Sequence, residues 1–373
     1  MFDYITSGES HGRFLSAIIE GVPSGITIDM PFITHELARR QGGYGRGGRM
    51  KIEKDEVQIT AGVLKSRTTG APIGLLLENK DFKIDKMPEL FRPRPGHADL
   101  VGHLKYGVGI RAVLERASAR ETTMRVAVGA IARLFLREFG ILTTSHVLEI
   151  GGVPADVSNA KFEEIEKKAP KSEVYCISDS ATEKMKAKID EARRDGDTLG
   201  GLLEVRVKGC PAGLGSYTHF GKKIDAQIAA SMLSIQAVKG VTFGIGADFA
   251  KLPGSKTHDE IGYNKERGYY RLTNRLGGIE GGMTTGEEIV AKVIMKPIST
   301  LRKALRSVDI QTKKVEEAAY ERSDICTVPA LSVICENVIM VDIARFFLEK
   351  FGGDSLKETQ RNYKSYLEQL RQS

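Results

Sequence analysis

SARETTMRVAVGAIARLFLREFG, residues 118–140, is the stretch on which the reading of the fold turns. Ala119, Thr123, Val126, Ala127, Ala130, Ile131, Leu134 and Phe135 recur at helical spacing and share one face, and Gly140 supplies a stop. A face that apolar has to be covered, so the spacing predicts a long core helix beginning at Ser118. Arg116, Arg120 and Glu121 put charged side chains where the amides of a helix N-terminus lack partners. Toward the N-terminus, residues 14–20 (FLSAIIE), 57–63 (VQITAGV) and 72–78 (PIGLLLE) are short apolar runs bounded by Gly and Pro, as buried strands are. Toward the C-terminus come strands at 202–209 (LLEVRVKG), 241–249 (VTFGIGADF) and 288–295, and a helix over 225–238 with Asp225 as its N-cap. A further helix spans 328–350, with Pro329 in its first turn and Gly352-Gly353 as its stop. Residues 355–371, rich in Lys, Arg and Glu, read as a solvated amphipathic helix. No polar linker or low-complexity stretch interrupts this order, and the expectation is one large α/β domain over 1–373.

Composition narrows the class. Apolar residues make up 41% of the 373 and charged residues 28%, which rules out general disorder. Fifty-five Lys and Arg against 48 Asp and Glu leave a net charge of +7, which favours anionic partners but is far below the density of a dedicated nucleic-acid binder. Cys176, Cys210, Cys326 and Cys335 form no C-x-x-C pair, and residues 1–7 show no basic-then-apolar signal, so reduced thiols and a cytoplasmic location are expected. No apolar run reaches the ~20 residues of a membrane span. No metal site is expected.

Four segments could carry chemistry. Gly8-Glu9-Ser10-His11-Gly12 formally matches the G-x-S-x-G nucleophile elbow, but a strand follows it where a helix is required. A serine hydrolase built on Ser10 is therefore one alternative; a capped glycine turn is another. A third is a site where backbone approaches a ligand beside a histidine that titrates near neutral pH. RRQGGYGRGGR, residues 39–49, mixes arginine, glycine and tyrosine as RGG-type RNA-binding tracts do. It reads equally as a mobile basic loop, near 39–50, whose guanidinium forks grip carboxylates and phosphate. RPRPGHAD, residues 92–99, adds a proline-stiffened basic segment with His97 close to Asp99, and Arg322-Ser323-Asp324 sets a carboxylate beside an arginine. His35, His103, His146, His219 and His258 read as structural.

Taken in order, GESHG at 8–12, RRQGGYGRGGR at 39–49, RPGHAD at 94–99, ERASARET at 115–122 and RSDICTVPA at 322–330 resemble the chorismate synthase family, collinearly over almost the whole chain. The resemblance implies a β-α-β-α sandwich, a homotetramer, and a lyase that converts 5-enolpyruvylshikimate 3-phosphate to chorismate with reduced FMN. Under it, His11 is the general acid toward the leaving phosphate, His97 faces the flavin N1 region, and Asp324 near N5 assists removal of the C6 proton. Flavin contacts fall on Arg116, Ala117, Ser118, Gln236, Ala237, Gly281, Lys296, Pro297, Ile298, Ser299, Thr300 and Arg322. Ala117 stands where many relatives carry serine. Arg40, Arg46, Arg49, Arg94 and Arg120 are left for substrate or NADP, with Arg40 and Arg46 at positions often assigned to the nicotinamide cofactor. NADPH would join only a bifunctional enzyme that reduces its own flavin. With no recognisable reductase domain, a monofunctional enzyme supplied with reduced FMN is the favoured reading.

Overall fold

The computed structural model describes residues 2–47, 54–157, 160–321 and 324–372. Four strands, β1 (Asp3–Ser7), β2 (Phe14–Glu20), β3 (Val57–Ala61) and β4 (Ile73–Glu78), form an antiparallel sheet in the order β1-β2-β4-β3. Its strands alternate as a sheet with one wet face must. Leu15, Ala17 and Ile19 of β2 and Ile73, Leu75 and Leu77 of β4 are buried, while Ile5 and Ile18 face out. A second antiparallel sheet is built from β5 (Leu142–Ile150), β6 (Gly201–Lys208), β7 (Val238–Phe243) and β8 (Ile289–Met295) in the order β7-β8-β6-β5, with the short strand Val153–Pro154 beyond β5.

Helices fill the space between the sheets. α1 (Met30–Gln41), α4 (Thr122–Arg137) and α8 (Val328–Phe351) pack on one another, with α4 lying on β1 and β2 and α8 on β5 and β6. Because α8 is covered on all sides, it is apolar nearly all round and buried along most of its 24 residues. Its polar residues are paired inside: Arg39 grips Glu336 through both terminal nitrogens at 2.8 and 2.9 Å, and Ser145 donates to the same carboxylate at 2.7 Å. Where α4 crosses α8, residue 129 must be glycine, since a Cβ there would stand 2.3 Å from the Asn337 carbonyl oxygen. The far face of the second sheet is covered by α5 (Phe162–Lys168) and α6 (Asp179–Asp195). There the even-numbered residues of β6 point outward: Glu204 meets buried His146 at 3.2 Å and Arg206 reaches the Ala160 carbonyl at 2.7 Å. The layers therefore run sheet, helices, sheet, helices, the expected β-α-β-α sandwich. Among the described residues no helix is long and apolar enough to cross a membrane.

Three boundaries differ from expectation. The helix predicted from Ser118 starts at Thr122, because Ser118 is extended (ψ 143°), caps the Arg120 amide with its hydroxyl, and opens a 3₁₀ turn over Ala119–Glu121. The preceding residues form their own helix, α3 (Ile110–Ala117), after α2 (Asp99–Tyr106). The helix expected over 225–238 is α7 (Ile224–Leu233); Asp225 lies in its first turn rather than at the cap, and Ala237, at φ +69°, turns the chain into β7. The strand expected over 241–249 ends at Phe243, where Gly244 takes φ +55°. The C-terminal helix α9 (Leu356–Gln372) is not merely solvated. Its Tyr363 and Tyr366 rings pack on Phe351, and Tyr363 also meets Phe139 and Phe347.

Candidate active site

The loop 8–13 joins β1 to β2, and Gly8 adopts φ +107° with no room for a Cβ, which would stand 2.3 Å from the Phe14 carbonyl oxygen. The turn is tied to the last turn of α3. Ser10 N–H donates to the Glu115 carbonyl at 2.9 Å, and His11 N–H donates to the Glu115 carboxylate at 2.8 Å. The His11 ring meets the same carboxylate through Nδ1 at 3.0 Å, while Nε2 lies 3.8 Å from Asp81. Burial pushes the Glu115 carboxyl up, but hydrogen bonds from the His11 ring and amide, with the charges of His11 and Arg111, hold it below its ordinary value. Ser10 is only 3% exposed and accepts a hydrogen bond from Ser118 at 3.1 Å. A hydrolytic nucleophile must meet its substrate, so this burial counts against the hydrolase alternative.

Beside the loop lies a cationic floor. Arg120 is drawn inward, its Nη1 on both oxygens of Asp55 at 2.7 and 2.8 Å and its Nε on Asn79 at 3.0 Å. Asn79 in turn donates to the Gly12 carbonyl at 2.7 Å, which joins the floor to the His11 loop. Arg40, in the last turn of α1, shares Asp55 at 3.6 Å and donates to Thr122 and to the Ala119 carbonyl. Two buried guanidinium groups on one carboxylate leave a net positive charge. Burial, opposed by Asp55 and reinforced by Arg120 and Arg46, lowers Arg40 to about 9, so it stays cationic at neutral pH. Arg46 pairs with Asp324 at 2.9 Å, and the Gly47 amide donates to the same carboxylate. The described part of the basic loop is pinned: Tyr44 donates to Asp190 on α6, and Ile325 N–H donates to the Gly45 carbonyl at 2.9 Å. Arg49 and Arg322 lie outside the described residues.

The second half of the site is built from residues 94–99 and 296–300. Arg94 binds Asp99 through Nε and Nη2 at 2.8 and 3.0 Å and reaches Thr300 at 2.7 Å, and His97 Nδ1 lies 2.5 Å from Asp99. Lys296 donates to Ser299, which donates to the Gly96 carbonyl. Burial, with Lys239 nearby, lowers the Lys296 ammonium from its ordinary value. Pro95, Gly96, Thr198, Lys296, Pro297 and Ser299 border a cavity of about 210 Å³. The Ile298 carbonyl accepts from Thr198, and Leu199 N–H donates to the Ile325 carbonyl, so residues 296–300 are tied through 198–199 to the segment that carries Asp324.

Not every candidate joins it in the same way. Arg116 is exposed and donates to the carbonyls of Thr6 and Gly8, with Ala117 and Ser118 following at the end of α3. Ala237 is joined to Lys296 by a backbone hydrogen bond of 2.9 Å, and the neighbouring Gln236 Oε1 is buried with no hydrogen-bond partner among the described residues. Gly281 sits at the other end of α7, in a hairpin whose Gly282 carbonyl accepts from Ile224 N–H. The length of α7, about 15 Å, separates it from Gln236. Sequence reasoning missed Glu115, Asp81, Asp55 and Asn79. The only available signal was Glu115 four residues after Arg111 on a helix, a spacing that most often marks a surface ion pair.

Histidines on carboxylates, next to buried arginines, are the groups that an enzyme handling an anionic small molecule needs. The chorismate synthase family model matches residues 2–348. The chain is 53% identical over 371 residues to chorismate synthase of Shouchella clausii strain KSM-K16, with 95% of each chain covered. It is 50% identical to that of Geobacter metallireducens strain ATCC 53774, over the whole of both chains. A solved structure, described as the crystal structure of chorismate synthase, superposes with a TM-score of 0.84 at 37% identity, covering 100% of this chain and 99% of the other. The chain belongs to the chorismate synthase family and is a lyase of that kind.

Proposed function

We propose that the protein carries out the anti-1,4 elimination of phosphate from 5-enolpyruvylshikimate 3-phosphate to give chorismate, the last common step of the shikimate pathway. The observation that carries this reading is the His11–Glu115 pair beside the buried Arg40 and Arg120. A substrate with one phosphate and two carboxylates needs cationic neutralisation and a proton donor at its leaving group, and this is where the chain gathers both. His11 delivers a proton to the departing phosphate. Arg40, Arg46, Arg49, Arg94 and Arg120 balance the substrate's charge, and Asp324 assists removal of the C6 proton.

Family membership implies a flavin, and the residues present fit one. Gln236 has a buried carbonyl oxygen without a hydrogen-bond partner among the described residues, Ala237 holds a strained positive φ, and Lys296 and Ser299 offer an ammonium and a hydroxyl at the rim of a cavity. Lys296, Pro297, Ile298, Ser299 and Thr300, with Arg116, Ala117, Ser118, Gln236, Ala237, Gly281 and Arg322, would hold it. Reduced FMN, when bound, supplies transient electron density for the loss of phosphate. His97 adjusts the charge around that ring. We infer a cytoplasmic homotetramer supplied with reduced FMN from outside.

The test is anaerobic. Purified protein with photoreduced FMN and 5-enolpyruvylshikimate 3-phosphate is expected to release inorganic phosphate; no release under those conditions rejects the reading. Light scattering on the same preparation reads the assembly state.

A further inference from the structure

We propose that Glu115 is a positioning residue for His11, one that fixes which ring nitrogen faces the reaction and holds the imidazolium form in place. This rests on the reading of His11 as the proton donor and goes beyond it.

The geometry is specific. A single carboxylate, 0% exposed at its side chain, takes the His11 backbone N–H at 2.8 Å and the ring Nδ1 at 3.0 and 3.1 Å. Main chain and ring meet the same carboxylate, so the backbone contact holds Glu115 in place under the ring, and an imidazole that flips or swings gives up its Nδ1 contact. With Nδ1–H committed to Glu115, the proton that leaves is the one on Nε2. It passes to an oxygen of the departing phosphate and leaves a neutral imidazole still carrying Nδ1–H.

The charged groups around the ring explain why Glu115 matters. On α3, Arg111 is the other cation near Glu115, and its Nη1 stands 3.7 Å away, outside hydrogen-bond range, with no hydrogen-bond partner among the described residues. Its Nη2 is spent on Glu321 at 2.9 Å, and its backbone N–H on Glu89. From the segment after β4, Asp81 faces Nε2 at 3.8 Å and is itself paired with Lys83 at 2.9 Å. Glu9 lies in the same loop as His11, its carboxylate toward Gly12. The principal hydrogen-bonded counter-ion of buried Glu115 is therefore His11. The two groups stabilise each other as an ion pair, and loss of the His11 proton leaves the carboxylate with a weaker set of partners.

Glu115→Gln tests this, because it keeps the shape and one acceptor but removes the charge. The expected result is a 10- to 100-fold fall in kcat with KM changed by less than about threefold, the range for a group that orients a functional histidine. The alkaline limb of the kcat profile should move to lower pH. In a His11→Ala background the same change should cost nothing further. Glu115→Asp, which keeps the charge on a shorter arm, should recover part of the loss. A readout independent of turnover is the ¹⁵N spectrum of the histidines in the unliganded protein. Neutral His11 should carry its proton on Nδ1 in the wild type and shift toward Nε2 in Glu115→Gln. An unchanged pH profile and tautomer in Glu115→Gln, with His11→Ala inactive, overturns the proposal. Full activity in His11→Ala would instead remove His11 from the proposed reaction, and with it this role for Glu115.

Discussion

His11 and His97 each meet a buried carboxylate through Nδ1 at hydrogen-bond distance, and they are not equivalent. Asp99, under His97, is held by Arg94 through Nε, Nη2 and the backbone N–H at 2.8, 3.0 and 3.0 Å. Glu115, under His11, has its arginine at 3.7 Å. Burial pushes both carboxyls up and hydrogen bonds bring both below their ordinary values, from His97 and then Arg94 in one case and chiefly from His11 in the other. The third partner decides the role. Asp99 is a fastener: through Arg94 it reaches Thr300 and closes residues 94–99 onto 296–300. Glu115 keeps its charge for its histidine.

The largest expected effect lies at the histidines themselves. His11→Ala and His97→Ala should each fold normally, as read by circular dichroism, and lose on the order of 10²-fold or more in turnover. Near-wild-type activity in either would remove that histidine from the mechanism. Next comes Asp99→Ala, which strands a buried guanidinium. It should destabilise the fold by about 3–5 kcal/mol in urea unfolding, whereas Glu115→Gln, which keeps the shape and one acceptor and has no arginine hydrogen-bonded to it, should cost less. Equal losses in the two variants would erase the distinction drawn above.

Acid should expose the same difference. A carboxyl lowered in the folded state contributes stability that is fully present above its ordinary value and is lost as the pH falls through the folded one. Asp99→Asn should therefore flatten the acid limb of the stability curve, a change visible in thermal unfolding below pH 5. A third buried carboxylate completes the comparison. Asp342 in α8 accepts only from Ser231 at 2.9 Å, and its other oxygen has no hydrogen-bond partner among the described residues; burial, opposed by Ser231 and Arg345, raises it to about 7. Its sign is opposite. The folded state holds a proton that the unfolded chain releases, so stability declines as pH rises from the ordinary carboxylate range to 7. Asp342→Asn should raise stability by about 1 kcal/mol at pH 8 and by much less at pH 5. An equal gain at both would mean that ionisation is not the cause.

What could be read from the sequence depended on distance along the chain. His97 and Asp99 are two residues apart and were legible as a pair; His11 and Glu115 are 104 apart, and only the fold brings them together. Apolar periodicity located the core helix and most strands, because burial leaves its period in the residues. It misplaced the start of α4, because nothing in local spacing shows that Arg120 is drawn inward by Asp55 and Asn79, 65 and 41 residues earlier. The same reason hid the cationic floor. Its arginines were visible as motif residues, while the carboxylate and amide that aim them belong to other elements.

The position of α8 also governs how this chain can be assembled. The second sheet, α1 and α4 rest on a helix made from residues 328–351, and Leu356 beyond it donates its amide to the Ser24 carbonyl near the start. During synthesis the first sheet is finished after residue 78, yet the helix layer beneath it is incomplete until most of the chain has been made. Long-range closure of this kind slows folding and prolongs the exposure of apolar strands. Fragments ending before residue 328 should therefore be captured by chaperones or aggregate, whichever of the site residues they contain.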